Sequence, residues 1–312
     1  MIKVLVVCSF KEGCEGNVAP FVREQVEALR RNGVECELFL VAGKGVSGYL
    51  GHLKALNTRI KAYRPDVVHA HYGLCGLLVN LQRRVPVVTT YHGSDINNPR
   101  IRAFSKLAMR LSRWNVFVSQ KSIDIVHPHK HSSLLPCGVD LSDLQLTEKN
   151  EARLKMHLDE TRRYVLFAGA FDNPVKNAPL AKETVALLHE KHAELLELKS
   201  YSREDVTLLM CAADALLVTS ITEGSPQVVK EAMTCGCPIV SVDVGDVRER
   251  IDNVRGCYVA DSCDPQELSR LLKEAIKFEG KTEGRKKIVE DGLNNNQVAN
   301  QLIDIYKSIL NR

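Results

Sequence analysis

The stretch ITEGSPQVVKEAMTCGCPIVSV, residues 221–242, admits few folds, because it sets a polar loop, a helix and a buried strand in a fixed order. Ser225 reads as an N-cap with Pro226 at the first helical position, where a missing N–H is no loss. Val228, Val229, Ala232 and Met233 then recur at helical spacing. Gly236 closes the helix, Pro238 prevents its continuation, and Ile239, Val240 and Val242 form an apolar run of parallel-strand type. Loop, helix and strand in this order form the repeating unit of an α/β chain.

Two acids punctuate the stretch. Glu223 precedes the helix N-terminus and Glu231 lies in its second turn, on the order of 8 Å along the axis at ~1.5 Å per residue. Between them the N–H groups near Gly224, Ser225, Gln227 and Val228 have no intrahelical acceptor, and with the helix dipole they make a place for phosphate. Taken singly, Glu223 also fits a dipole-favoured acid and Glu231 a solvated helix residue. Together with the phosphate site, two hydroxyl-binding carboxylates suggest a nucleotide sugar. The spacing Glu223-Gly224-x-Pro226 through Glu231-Ala232, then Gly236-x-Pro238, resembles the Glu-x7-Glu signature of the group 1 glycosyltransferases, glycosyltransferase family 4. The resemblance implies a GT-B fold, two Rossmann-like parallel-sheet domains facing a cleft, with Glu223 toward the donor sugar and Glu231 on the nucleotide ribose.

The rest of the chain suits an α/β protein. Short apolar runs begin at Val4, Cys36, Asp66, Pro86, Asn115 and Ser133 and alternate with helical patterns. The clearest helix is predicted over about 18–31, from Val18, Val22, Val26 and Leu29 on one face. Lys11, Gly13 and Gly16 form a loop at the C-terminal end of the first strand, the edge where open parallel sheets bind ligands. His71 and His92 end strands at that same edge; Asp95 is near enough in sequence to orient His92, and Tyr91-His92-Gly93 resembles the family's His-Gly step beside the acceptor. Gly13, Gly16, His71 and Asp95 are therefore acceptor or cleft candidates. His127, His129 and His131, beside Pro128 with no acid among them, read as a loop rather than a metal site.

Pro136-Cys137-Gly138-Val139-Asp140 resembles the family's turn leaving the first domain, with Cys137 in place of the usual Asn. The organisation read from the chain is a first domain over 1–142, a polar linker over 143–162, a donor-binding domain over 163–295 and a helix over 296–312 that returns to the first domain. The second domain opens with YVLFAGAF, where the resemblance implies a Gly-Arg strand exit and a following lysine on the donor diphosphate. Gly169 and Lys176 match, with Asn177 beside them, but Ala170 stands at the arginine position. Helices are predicted over about 180–191 and 202–212. One strand, turn and helix usual in the family is missing before the run at Ala215, which leaves Tyr201 as a stacking candidate. Asp243 and Asp246 follow a strand, and Asp246 reads as an N-cap rather than a metal ligand.

Composition narrows the partners. The chain has 312 residues, 45% apolar, enough for two cores. It has no apolar run of ~18 residues, and its first ten residues read as a strand rather than a signal peptide. Ten cysteines without an export signal point to a reducing compartment, and the lack of Cys-x-x-Cys pairs points to packing rather than metal, so the expected location is cytoplasmic, with peripheral contact at the inner membrane face. Residues 1–150 carry 20 Lys and Arg against 12 Asp and Glu, net +8, and the remainder 22 against 26, net −4. The basic half suits a phosphorylated acceptor or an anionic membrane; aromatics at 5% argue against nucleic acid. The resemblance thus implies a metal-independent retaining glycosyltransferase without cofactor, moving sugar from a nucleotide-diphosphate donor to a glycan or lipid-linked acceptor. Glu223, Lys176 and His92 are the catalytic candidates; Gly169, Lys176, Asn177, Glu223, Gly224, Ser225, Pro226 and Glu231 bind donor. A nucleotide-sugar epimerase of similar fold, or a noncatalytic sugar-nucleotide-binding protein, are the alternatives.

Overall fold

A computed structural model describes residues 1–43, 45–128, 131–141, 146–188 and 193–311. The chain divides into two compact units, Met1–Val139 with Leu293–Arg312, and Asp140–Gly292.

The first unit holds an all-parallel sheet of β1 (Lys3–Ser9), β2 (Glu35–Val41), β3 (Val67–His71), β4 (Val87–Tyr91), β5 (Trp114–Phe117) and β6 (Ser132–Leu134), in the order β2-β1-β3-β4-β5-β6. Val4, Leu5, Val6 and Val7 are fully buried, as strands covered on both faces require. The first helix, Pro20–Arg31, starts two residues later than its apolar pattern suggests. Pro20 fixes its own φ and forces Ala19 to remain extended, so Val18 is buried from extended backbone. The last helix, Asn295–Leu310, is capped by the Asn294 side chain on Gln297 N–H. It sinks Val298, Leu302, Tyr306 and Ile309 into the cluster formed by Val4, Val6, Val22 and Val26.

The second unit holds β7 (Arg163–Phe167), β8 (Ala193–Glu197), β9 (Ala215–Val218), β10 (Ile239–Val242) and β11 (Cys257–Ala260), again parallel, in the order β11-β10-β9-β7-β8. Between β8 and β9 lies only the helix Arg203–Ala212. The stretch 143–162 is not a linker where it is described. Its helix Lys149–Lys155 belongs to this unit and buries Arg153 against Asp214, which also takes Lys149, Arg163 and the Tyr164 N–H. Two of the stretch's charges, Lys149 and Arg153, pair with the Asp214 carboxylate, which has no solvent exposure, while Glu148, Glu151, Lys155, Asp159 and Arg162 are exposed. Residues 142–145 lie outside the described set, as do 189–192, so only Ala178–Ala186 of the helix expected over 180–191 is observed. In each sheet the chain reverses its direction of growth once, between β1 and β3 and between β7 and β9. Ligands of open parallel sheets bind at the carboxyl ends of strands at such switch points. Among the described residues no helix is long and apolar enough to cross a membrane.

Candidate active site

In the second unit the chain leaving β7 passes Gly169, where an added Cβ would lie 2.8 Å from Cγ of Lys176. The missing side chain makes room for the lysine stem. Lys176 closes a short turn begun by the Asn173 side chain, which accepts from Val175 N–H, and Asn177 takes left-handed backbone at φ 55°. Just past β9, the Thr219 hydroxyl donates to the carbonyls of Lys176 (2.9 Å) and Asn177 (3.1 Å), locking one strand exit to the other. The Lys176 ammonium then meets Glu223 Oε1 at 2.7 Å, with side chains 19% and 17% exposed.

The loop carrying Glu223 is clasped from the next strand exit. Asp246 N–H donates to the Gly224 carbonyl (3.1 Å), and a Cβ on Gly245, at φ 56°, would sit 2.5 Å from that oxygen, so only glycine fits there. Ser225 is not the N-cap. Its hydroxyl donates to Asp246 Oδ2 at 2.8 Å, the helix runs Gln227–Cys235, and Pro226 occupies the cap position without a side-chain bond. A serine two residues before the first helical turn is too far back to reach its amides. Asp246 is correspondingly not a side-chain cap for the helix Val247–Ile251. Burial raises its pKa, against the pull of buried Lys230, Ser225 and Arg250. The helix Gln227–Cys235 still directs the positive end of its dipole toward the Glu223 loop.

Glu231 accepts a hydrogen bond from Arg203 Nη1 at 3.1 Å. Arg203 begins its helix behind a capping box in which Ser202 and Asp205 exchange bonds. Arg203 was missed from sequence, and Asp246 was read there only as a helix cap. The Ser202-x-x-Asp205 spacing is the signal that could have placed Arg203 at a helix start, and the short connection after β8 brings it to Glu231. Tyr201 is exposed.

In the first unit His92 follows β4, partly exposed, between the rings of Phe21 and Tyr72 at 4.8 and 4.7 Å. Its Nε2 shares a hydrogen bond with His71 Nδ1 at 3.0 Å. His71 does not line a surface: it is wholly buried, stacked on His69 at 4.7 Å, and burial pulls its pKa down to about 3. It supports His92 from behind as a neutral imidazole. His69 in turn bonds Tyr306 (2.6 Å) and Thr90 (2.7 Å), and burial holds it well below the ordinary histidine range. Asp95 does not hold the His92 ring. Its carboxylate accepts from the backbone N–H groups of His92 (3.0 Å) and Gly73 (2.9 Å), stapling the exits of β3 and β4, and burial raises it to about 6. Gly13 and Gly16 lie in an exposed loop at φ 78° and 63°, closed by Lys11 N–H on the Asn17 carbonyl. His131 stacks on Trp114 and His127 ends a helix; His129 lies outside the described residues. Among the described residues no group of three or more His, Cys, Asp or Glu side chains is placed to hold a metal.

Residues 18–143 match the family described as Glycosyltransferase Family 4, and residues 196–294 match Glycosyl transferases group 1. A Bacillus subtilis glycosyltransferase named for teichuronic acid biosynthesis, TuaC, is 29% identical over 222 residues, 59% of this chain and 54% of that protein. The N-acetyl-alpha-D-glucosaminyl L-malate synthase of Bacillus anthracis is 22% identical over 78% of this chain and 75% of its own length. The match thus spans about half of the first relative and three quarters of the second. In structure, sucrose-phosphate synthase of Thermosynechococcus elongatus superposes with a TM-score of 0.80 at 15% identity, over 99% of both chains. HepE of Anabaena, solved in complex with UDP, gives 0.73 at 17% identity over 99% of this chain and 100% of its own. Two parallel-sheet α/β domains of this kind define the GT-B fold. The chain belongs to the group 1 glycosyltransferases of family 4 type.

Proposed function

We propose that this protein transfers a sugar from a nucleotide-diphosphate donor to a hydroxyl of a glycan or lipid-linked acceptor, with retention at the anomeric carbon and without a metal. The observation that carries this reading is the Lys176–Glu223 ion pair at the β7 and β9 exits, beside the N-terminus of the helix bearing Glu231. Each partner is the natural ligand of a different part of such a donor. The ammonium suits the diphosphate, the carboxylate the sugar hydroxyls, and in the unliganded protein each holds the other's place. Arriving donor exchanges one largely buried ion pair for two charge-assisted contacts. As the bond to the leaving diphosphate breaks, Lys176 and the first-turn amides stabilise the growing negative charge, and Glu223 faces the positive charge developing on the sugar. Glu231, steadied by Arg203, takes the ribose. His92 in the first unit is assigned to the acceptor, and the positive charge of that half suits an anionic or lipid-linked one.

The relatives support this reading by name, and HepE has been solved with UDP-glucose. The test is release of nucleoside diphosphate from UDP-, GDP- and ADP-sugars by the full chain, with the anomeric configuration of product followed by NMR. At least one donor is expected to be turned over with retention, and Glu223→Ala to abolish most of that turnover. Donor binding without release by the parent protein would favour the noncatalytic alternative, and inversion would remove the retaining assignment.

A further inference from the structure

At the opposite end of the first sheet from His92, about 16 Å away along the five residues of β4 at ~3.3 Å each, the strands begin around a second feature. The amino-terminal ends of β4 and β6 border a cavity of about 870 Å³. Arg83, Arg84 and Arg113 line it together with His131, and no carboxylate does. These three arginine side chains have no ion pair or hydrogen bond among the described residues. Arg23, Arg59, Arg162, Arg163, Arg248 and Arg250, by contrast, each meet an acid.

The backbone that carries these cations is fixed. Gln82 accepts from the N–H groups of Arg84 (2.7 Å) and Val85 (2.9 Å) and donates to the Val85 carbonyl (2.7 Å), clamping the loop on which Arg83 takes left-handed backbone at φ 54°. Arg113 is fixed by its N–H on the Val87 carbonyl (2.8 Å). Beneath them Asn80 and Ser112 bond each other at 2.9 Å, both buried, and Ser112 reaches Thr89. All three arginines are exposed, so water and salt screen their mutual repulsion, but three guanidinium groups around one cavity still favour an anion between them, and their planar forks match tetrahedral oxyanions with paired donors. The volume falls in the range of small-molecule sites, larger than a lone inorganic ion needs.

We propose that this cavity is a second ligand site, for a molecule carrying phosphate groups with two or more negative charges, separate from the diphosphate position at Lys176. The phosphate could be supplied by a soluble phosphorylated compound or by a lipid headgroup, and the two are distinguished by experiment. Pyrophosphate is titrated calorimetrically into the full-length Lys176→Ala protein, which silences the donor side, with and without Arg83→Gln, Arg84→Gln and Arg113→Gln combined. Binding should survive Lys176→Ala and weaken at least tenfold in the combined variant, with a shallower dependence on salt. In parallel, phosphatidate-containing and pure phosphatidylcholine vesicles are sedimented with each protein. Arginine-dependent sedimentation with phosphatidate assigns the site to a headgroup, and arginine-dependent pyrophosphate binding without sedimentation assigns it to a soluble ligand. Turnover of donor should be unaffected by the arginine changes. Should the combined variant unfold, the three single substitutions are read in its place. The proposal is overturned if neither pyrophosphate nor phosphatidate distinguishes the arginine variants from their parent.

Discussion

At its strand exits the first unit carries imidazoles and a buried carboxyl, whereas the second carries a lysine, an arginine and two glutamates. His69 and His71 are fully buried and neutral, and Asp95 is occupied by two backbone N–H groups. Lys176, Glu223, Arg203 and Glu231 are partly exposed and paired with one another. Polar groups sealed in this way fix backbone, because exchanging their partners would leave a buried atom unsatisfied. Ion pairs that keep some access to solvent can trade a partner for a ligand, because each group stays charge-paired through the exchange. The second unit also has its own sealed set, Asp214 with Arg153, and the contrast between that set and the Lys176–Glu223 pair is the sharper one.

The largest effect is expected at that sealed set. Asp214→Ala leaves buried Arg153 without its carboxylate and should destabilise the second unit by about 3–5 kcal/mol. Hydrogen exchange read peptide by peptide should show β7 and β9 losing protection while β1 and β4 keep theirs, since the units need not unfold together. Uniform loss in both units would break the distinction. Glu223→Ala should leave protection intact and lower kcat by about 10²-fold, as loss of an electrostatic contributor to the transition state does. Normal turnover in a folded variant would remove Glu223 from the chemistry.

Much of this contrast was legible in the chain and part was not. The run from Thr222 to Val242 located Glu223, its helix and β10, because Gly236 and Pro238 punctuate it strongly. His71 was legible as a strand end but not as buried. In a parallel sheet covered on both faces every position of β3 is buried, so alternation carries no information about exposure. Ser225 and Asp246 each had cap chemistry, and both used it on each other across 21 residues, a pairing that local spacing cannot reveal. Arg203 reached Glu231 only because the connection after β8 is short, and the linker reading failed because Lys149 and Arg153 find a partner in Asp214, far along the chain.

Acidification should separate the two units more gently. His69 and His71 have folded pKa values below the unfolded value, so the unfolded chain binds more protons between about pH 3 and 6.5 and stability falls as pH drops through that window. Asp95, raised to about 6, has the opposite sign: its contribution grows as pH falls from about 6 toward 4. Two imidazoles against one carboxyl leave a net loss, with each net proton worth about 1.4 kcal/mol per pH unit. His71→Gln should flatten the decline of first-unit protection between pH 7 and 5 by about one proton, and an unchanged slope would contradict the buried neutral imidazole. The smallest effect is expected at Glu231. Arg203→Ala or Glu231→Ala should raise the donor KM severalfold with kcat little altered, since ribose contacts are equal in ground and transition states.

The account rests on Lys176 and Glu223 being exchangeable partners rather than a structural pair, and calorimetry of nucleoside diphosphate binding measures this directly. Lys176→Ala should weaken the diphosphate by roughly tenfold or more, in line with the ~1.5–3 kcal/mol of a charge-assisted contact, and leave the nucleoside unchanged. Glu223→Gln, which releases the lysine from its internal partner, should bind the same diphosphate at least as tightly as the parent does. If Glu223→Gln instead loses diphosphate affinity as Lys176→Ala does, or if Lys176→Ala weakens nucleoside and diphosphate equally, the pair is architectural and the donor site lies elsewhere.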